Sequence, residues 1–486
     1  MTDDLERMAR GVIACAYGEG AQGFAGCVMF ARDGRSPSDM RIRTDNLRER
    51  YGTEQPLIAI DQEGGRVARL VRDAEILPPM MALGAAGDQI LARQAGASIA
   101  HDLRRAGVTV DFAPVLDLAL DSNNTVIGTR AFGSDPALVT GMGRALAFGL
   151  RDGGIHPTFK HLPGHGATPV DSHQDLPRVR EPLEVLRERD FVPFAALSRD
   201  PGAMMSAHVV VEALDDRPAS LSAAVVTRLL RDEWGFEGVL FSDCLQMGAV
   251  SGLGVQEAVV SAIAAGNDCA IVSHDLDLAR DAAAQIVAAV TNGSLAFDRL
   301  RTAFERVRAL RRMGAPPLPL DALPPHPGIG GMIARRAMTC VRGDVRVGAG
   351  VAHVVSFDGN SYDGVGDAPA AADVWNVPAH AYSLCSLDPP ADEIDAVIDS
   401  VREGARLVIL ARRAHLFSGQ ARAIARLLDR DPDAVVVSVR EPFDIPSFGR
   451  AAHVLAAYGD DAASLGAAAG VIFNGAPAPG RLPVVL

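Results

Sequence analysis

Residues 57–66 read LIAIDQEGGR, four apolar residues followed at once by Asp61, Gln62, Glu63 and two glycines. A short apolar, β-branched run ending in polar residues reads as a strand buried on both faces, with chemistry at its carboxyl end. The plan recurs at GVIACA (11–16), GCVMFA (26–31), VTVDFAPV (108–115), HPTFK (156–160), AMMSAHVVV (203–211), GVLFSD (238–243) and NDCAIVS (267–273). Most of these runs are separated by helix-like stretches rich in Ala, Leu, Arg and Glu, such as 90–105, 136–153 and 222–233. Strands alternating with amphipathic helices predict a parallel sheet covered on both faces. Eight of them predict a (β/α)8 barrel of the TIM type, whose active site sits at the carboxyl ends of the strands. The first crossover, YGEGAQGF (17–24), is too short for a normal helix, so the first unit is expected to be irregular.

Outward from the barrel, residues 314–330 read GAPPLPLDALPPHPGIG, with six prolines between Pro316 and Pro327. Such a segment neither continues a helix nor joins a central strand, and it reads as a linker. Beyond it AHVVSF (352–357), ADVWNV (372–377), RLVILA (406–411), AVVVSV (434–439) and HVLAAY (453–458) form a second strand series, with helical stretches near 391–403 and 416–430. The expected organisation is a barrel over 1–313, the linker, and a smaller open α/β sandwich domain over 331–486, doubly wound. No GxGxxG follows the first strand of that second series, which leaves a dinucleotide site there without support.

With 486 residues, 48% hydrophobic and 22% charged, the chain has the apolar content for sizeable cores. A formal charge of -13 argues against nucleic acid or an anionic membrane surface as partner. The opening MTDDLERMARGVIACAYG lacks the basic start and long apolar run of a secretory signal, and no stretch is apolar enough to span a bilayer. Cys15, Cys27, Cys244, Cys269, Cys340 and Cys385 show no CxxC spacing, so they read as thiols of a reducing compartment, and a cytoplasmic location is expected. Of 47 Lys plus Arg, a single residue, Lys160, is lysine. Its survival hints at a place that needs a compact ammonium rather than a planar guanidinium.

Polar clusters follow several predicted strands. Asp61 and Arg69 flank two glycines, a pattern suited to accepting sugar hydroxyls beside close backbone, and equally to a turn with a helix cap. Lys160-His161-Leu162-Pro163-Gly164-His165-Gly166 is followed by Asp171-Ser172-His173-Gln174-Asp175. Three histidines, two aspartates and the one lysine fit proton transfer, a metal site or a solvated polar loop; neither HExxH nor paired cysteines accompany them. With Asp171 orienting its imidazole, His173 would be a competent acid/base, and Lys160 and His161 would donate to ligand oxygens. Asp243, at the mouth of the GVLF strand, is placed either to attack an anomeric carbon or to cap the next helix. Arg130 in IGTRAFG and His208 in MMSAHV are further candidates, for binding or for structure.

Together IAIDQEGGRVARL, IGTRAFGSDP, FKHLPGHGATPVDSH, MMSAHV and FEGVLFSDCLQM resemble glycoside hydrolase family 3, in its bacterial β-N-acetylglucosaminidase branch of peptidoglycan recycling. VVSVREPFDI and the ending GVIFNGAPAPGRLPVVL resemble that family's second domain. The resemblance implies a retaining double displacement with Asp243 as nucleophile and His173, partnered by Asp171, as acid/base. It also implies that Asp61, Arg69, Arg130, Lys160, His161 and His208 serve the terminal sugar, and that no metal or other cofactor is needed. The implied substrate is a small saccharide or muropeptide; the oligomeric state stays open. Two departures stand out. Cys244 occupies the place of a second aspartate in the family's SDD-type motif, and the amino terminus is short. A β-glucosidase or β-xylosidase, a phosphorylase, and a catalytically silent sugar-binding protein are the alternatives, the last because fold does not fix function.

Overall fold

The computed structural model describes residues 2–168, 176–347, 351–358, 375 and 381–486. Eight parallel strands close into a barrel in sequence order: β1 (Ile13–Ala16), β2 (Gly26–Met29), β3 (Leu57–Ile60), β4 (Val110–Asp111), β5 (His156–Leu162), β6 (Ala203–Ser206), β7 (Leu240–Cys244) and β8 (Cys269–Val272), with β8 pairing back onto β1. Only turns and bends connect β1 to β2, as the short first crossover predicts. The helices expected near 90–105, 136–153 and 222–233 are found at Gln89–Arg105, Pro136–Asp152 and Ala224–Glu233, the last wound as a π-helix. Asp88 and Asp135 cap the first two, Asp88 accepting two backbone N–H groups and Asp135 one that the first turn leaves unpaired.

Strand alternation divides the apolar residues between two cores. Ala14, Val28, Leu57, Ala59, Val110, Phe112, Ala203, Met205, Val239, Phe241, Cys269 and Ile271 fill the barrel interior, where Phe112 and Phe241 meet edge to face at 5.4 Å. Ile58, Ile60, Met204 and Leu240 belong instead to the layer under the surrounding helices. That parity decides which side chains face the mouth of the barrel.

The proline-rich segment follows the barrel wall until the helix Ile329–Ala337 begins. Arginines hold its carbonyls: Arg104 Nε donates to Pro316 O at 3.1 Å, Arg41 Nη1 to Leu318 O at 2.9 Å and Arg105 Nε to Leu320 O at 2.9 Å. The second sheet has six strands: β9 (Thr339–Arg342), β10 (Ala352–Phe357), β11 (Ala381–Cys385), β12 (Arg406–Ala411), β13 (Val435–Ser438) and β14 (His453–Ala456). Their order is β9-β14-β13-β12-β10-β11, with β9 antiparallel at one edge and the rest parallel. The chain starts its parallel run at β10, steps to β11 on one side and then to β12 on the other, the reversal of a doubly wound sheet. ADVWNV, expected as a strand, lies outside the described residues except for Trp375; the described strand of that region is β11.

Candidate active site

Carrying the interior parity to the carboxyl end of each strand brings Lys160 within β5, Asp243 within β7, and Phe30, Asp61 and Ser273 just past β2, β3 and β8 to the mouth of the barrel. All five line one cavity of about 230 Å³, together with Arg69, Arg130, His161, His165, Cys244 and His274. The volume lies below the roughly 300–1,000 Å³ of sites for drug-sized ligands, which suits a compact polar ring.

One wall is a buried ionic lattice. Lys160, 2% exposed, donates to Asp61 Oδ1 at 2.7 Å and lies 2.6 Å from Glu63 Oε1. Arg130 grips Glu63 with two prongs, Nε to Oε2 and Nη2 to Oε1, both at 2.8 Å. Arg69 Nη2 reaches Asp61 Oδ2 at 3.3 Å. Burial alone would push both carboxyls up. For Glu63, Arg130 and Lys160 outweigh it and hold the acid well below its ordinary range; for Asp61, Lys160 and Arg69 do the same. Burial would likewise push the Lys160 ammonium down, but the two carboxylates outweigh it and its pKa is raised. The lattice therefore stays charged across the neutral range, and a guanidinium fork in place of Lys160 would not meet two carboxylates from one compact point.

A second pair organises the neighbouring wall. Asp117 Oδ2 accepts from His161 Nδ1 at 2.6 Å and from His161 N at 3.1 Å, while its Oδ1 accepts the His165 backbone N–H at 2.6 Å. With Nδ1 donating to Asp117, His161 Nε2 accepts from Arg130 Nη2 at 3.4 Å and sits on the cavity side. Burial lowers the pKa of His165 despite the opposing pull of Asp117, so that ring is neutral at pH 7. β5 reaches these residues through a register shift between Phe159 and Leu162, and the Lys160–His161 peptide is cis.

Across the cavity, Asp243 is the penultimate residue of β7. Its Oδ1 accepts the Cys244 backbone N–H at 2.7 Å, and the Cys244 Sγ lies 3.4 Å from Ser273 Oγ. Burial raises the Cys244 thiol, keeping it protonated at neutral pH. A carboxylate so placed, facing an array of N–H donors, is equipped to attack a carbon whose ring hydroxyls those donors hold.

The residues expected from the sequence divide into three groups. Asp61, Arg69, Arg130, Lys160, His161 and Asp243 are brought together on the cavity wall. His208 is not among the residues that line it. It is fully buried behind β7, with Nε2 donating to the Cys244 carbonyl at 2.9 Å and Nδ1 paired with Ser220 Oγ at 2.7 Å, so it supports the Asp243–Cys244 peptide. Asp171 and His173 lie outside the described residues. Glu63, Asp117 and His165 went unassigned in the sequence reading, although Glu63 and Asp117 anchor both walls. Among the described residues, no group of three His, Cys, Asp or Glu side chains is arranged to hold a metal ion.

The glycosyl hydrolase family 3 N-terminal domain matches residues 22–310. A beta-hexosaminidase of Thiobacillus denitrificans is 38% identical over 269 residues, which is 54% of this chain and 74% of that protein. Among solved structures, a glycoside hydrolase family 3 beta-N-acetylglucosaminidase from Paenibacillus superposes with a TM-score of 0.91 at 29% identity, covering 99% of both chains. Native NagZ from Neisseria gonorrhoeae matches at 30% identity with a TM-score of 0.52, over 63% of this chain and 98% of its own. The barrel, its carboxyl-end cavity and these likenesses together establish that the chain belongs to glycoside hydrolase family 3.

Proposed function

We propose that the protein is an exo-acting, retaining β-N-acetylglucosaminidase that releases a terminal N-acetylglucosamine from small saccharides or muropeptides. The observation that carries this reading is the opposition of Asp243 to the Asp61–Glu63–Lys160–Arg130 lattice across a cavity sized for one sugar ring. The names borne by its relatives, beta-hexosaminidase and beta-N-acetylglucosaminidase, point the same way. A carboxylate of Asp243 attacks the anomeric carbon as the glycosidic C–O bond breaks, and the leaving oxygen takes a proton from His173, oriented by Asp171. The neutral imidazole then removes a proton from water, which attacks the same carbon and frees Asp243.

In this reading the catalytic machinery belongs to the barrel, residues 1–313, with residues 331–486 as a separate domain. None of the six cysteines is paired, in keeping with a cytoplasmic setting. No helix among the described residues is long and apolar enough to cross a membrane.

The test is hydrolysis of 4-nitrophenyl β-N-acetylglucosaminide beside the corresponding glucoside, with and without phosphate. Preference for the N-acetyl sugar, unaffected by phosphate, is expected. Acceleration by phosphate would make the enzyme a phosphorylase, and binding without turnover would make it a silent sugar-binding protein. His173→Ala is expected to cost far more on an oligosaccharide than on a nitrophenyl substrate, whose leaving group needs little protonation. Equal losses on both would remove His173 from the acid role.

A further inference from the structure

The second sheet points its carboxyl edge at one barrel loop, residues 122–130, which leaves β4 and ends on Arg130. His415, beyond β12, donates from Nε2 to the Ser122 carbonyl at 2.8 Å. Arg413 donates from Nη2 to the Thr125 carbonyl at 3.4 Å and grips Glu441, beyond β13, through Nε at 3.0 Å and Nη2 at 2.7 Å. Glu441 is buried and reaches the loop backbone itself. A Cβ at Gly128, whose φ is +44°, would stand 2.4 Å from Glu441 Oε1. Arg413 holds its own contact from a left-handed backbone, φ +55°, which a non-glycine residue keeps only where its surroundings demand it.

On its inner side the same loop carries the site. Arg130 Nη1 donates to the Val126 carbonyl at 3.0 Å while its other nitrogens hold Glu63, the partner of Lys160. Asn124 accepts the Val126 and Ile127 N–H groups at 3.1 and 2.9 Å and donates to the His165 carbonyl at 2.9 Å. A continuous path of contacts thus runs from Glu441 through Gly128 to Arg130, Glu63 and Lys160.

We propose that Glu441, with Arg413 and His415, is a positioning set through which the second domain fixes Arg130, and so sets affinity for the terminal sugar without touching it. The inference rests on the glycosidase reading of the cavity.

The test is a double-mutant cycle in the full chain: Glu441→Gln and His415→Ala, each alone and in an Arg130→Ala background, with 4-nitrophenyl β-N-acetylglucosaminide. Glu441→Gln is expected to raise KM about tenfold and lower kcat much less, with His415→Ala following in the same direction by roughly threefold. In the Arg130→Ala background both effects are expected to vanish, which a general loss of stability would not produce. An unchanged KM in both variants, or effects of equal size with and without Arg130, would overturn the positioning role. If Glu441→Gln does not fold, His415→Ala decides alone. Absence of turnover by the unaltered protein is a failure of the glycosidase reading; calorimetric titration with N-acetylglucosamine then reads the same cycle. Weaker binding confined to backgrounds that keep Arg130 supports the positioning role, and any other pattern overturns it.

Discussion

The barrel carries a buried ionic cluster at each end, and the two are built differently. At the carboxyl end, Asp61 and Glu63 share Lys160, Arg69 and Arg130 beside a cavity of about 230 Å³. At the amino end the fully buried Asp268 takes three guanidiniums: Arg231 at 2.6 Å, Arg299 at 2.7 Å and Arg306 at 3.3 Å. There some of the other N–H groups go to backbone, while the Nε groups of Arg231 and Arg299 are buried without a hydrogen-bond partner among the described residues. Arg231 Nη1 donates to the Phe236 and Gly238 carbonyls at 2.9 and 2.7 Å, and Arg299 Nη2 to Asn267 O at 3.0 Å. Burial pushes Arg231 down to about 10 against the pull of Asp268, whereas Lys160 is raised by its two carboxylates. The amino end also has the larger void, about 750 Å³ and lined in part by Arg306, Leu310 and Val239. Neither buried charge nor cavity size marks a site. What marks it is polar groups that converge on open space at the strands' carboxyl ends.

Removing one carboxylate from each end separates chemistry from suture. Asp243→Ala is expected to cut kcat/KM on the order of 10⁴-fold with the thermal midpoint nearly unchanged. Asp268→Ala is expected to do the reverse, costing at most roughly 3–5 kcal/mol in denaturant unfolding because three partly exposed guanidiniums lose the one buried carboxylate they share, while the folded fraction keeps its kcat. An inactive but fully stable Asp268→Ala protein would erase the contrast.

A third kind of buried carboxyl sharpens it. Among the described residues no cation pairs with Asp444; it accepts from Ser438 Oγ at 2.5 Å, and burial lifts it from 3.8 to about 7. Because the folded pKa is the higher one, the stabilising contribution is fully present below about pH 4 and is lost as pH rises through 7. Asp444→Asn should therefore gain on the wild type with rising pH, by at most about 4 kcal/mol at pH 8. A pH-independent difference in unfolding free energy would contradict this. At the catalytic end, Lys160→Arg keeps the charge but not the geometry. It is expected to lower kcat/KM about 100-fold, or about 2.7 kcal/mol, in steady-state assays. The smallest change belongs to Cys244→Ser, which preserves a partner for Ser273. A shift in kcat/KM below tenfold, about 1.4 kcal/mol, is expected.

Much of this was legible in the sequence because a barrel strand has a period of two. Asp61 and Asp243 follow LIAI and VLF at the parity that faces inward, so strand ends and alternation suffice to find them. The same parity applied to AMMSAH, with Ala203 and Met205 inside, turns His208 outward, which the sequence reading overlooked by weighing its place after the strand alone. His161 breaks the rule because the register shifts within β5. Glu63 and Asp117 stayed hidden for another reason: their partners, Arg130 and His161, lie 67 and 44 positions away, and no local pattern encodes such pairings. In the second domain the strand series was readable, but its docking on the 122–130 loop depends on side chains that meet only in the folded chain.

The solitary lysine has a practical consequence. With 46 of the 47 basic side chains bearing guanidinium, the surface offers amine-directed reagents no lysine, and the one ε-amine in the protein is locked between Asp61 and Glu63. An acylating probe consumed at a side-chain amine would therefore report a single event: the opening of the sugar pocket.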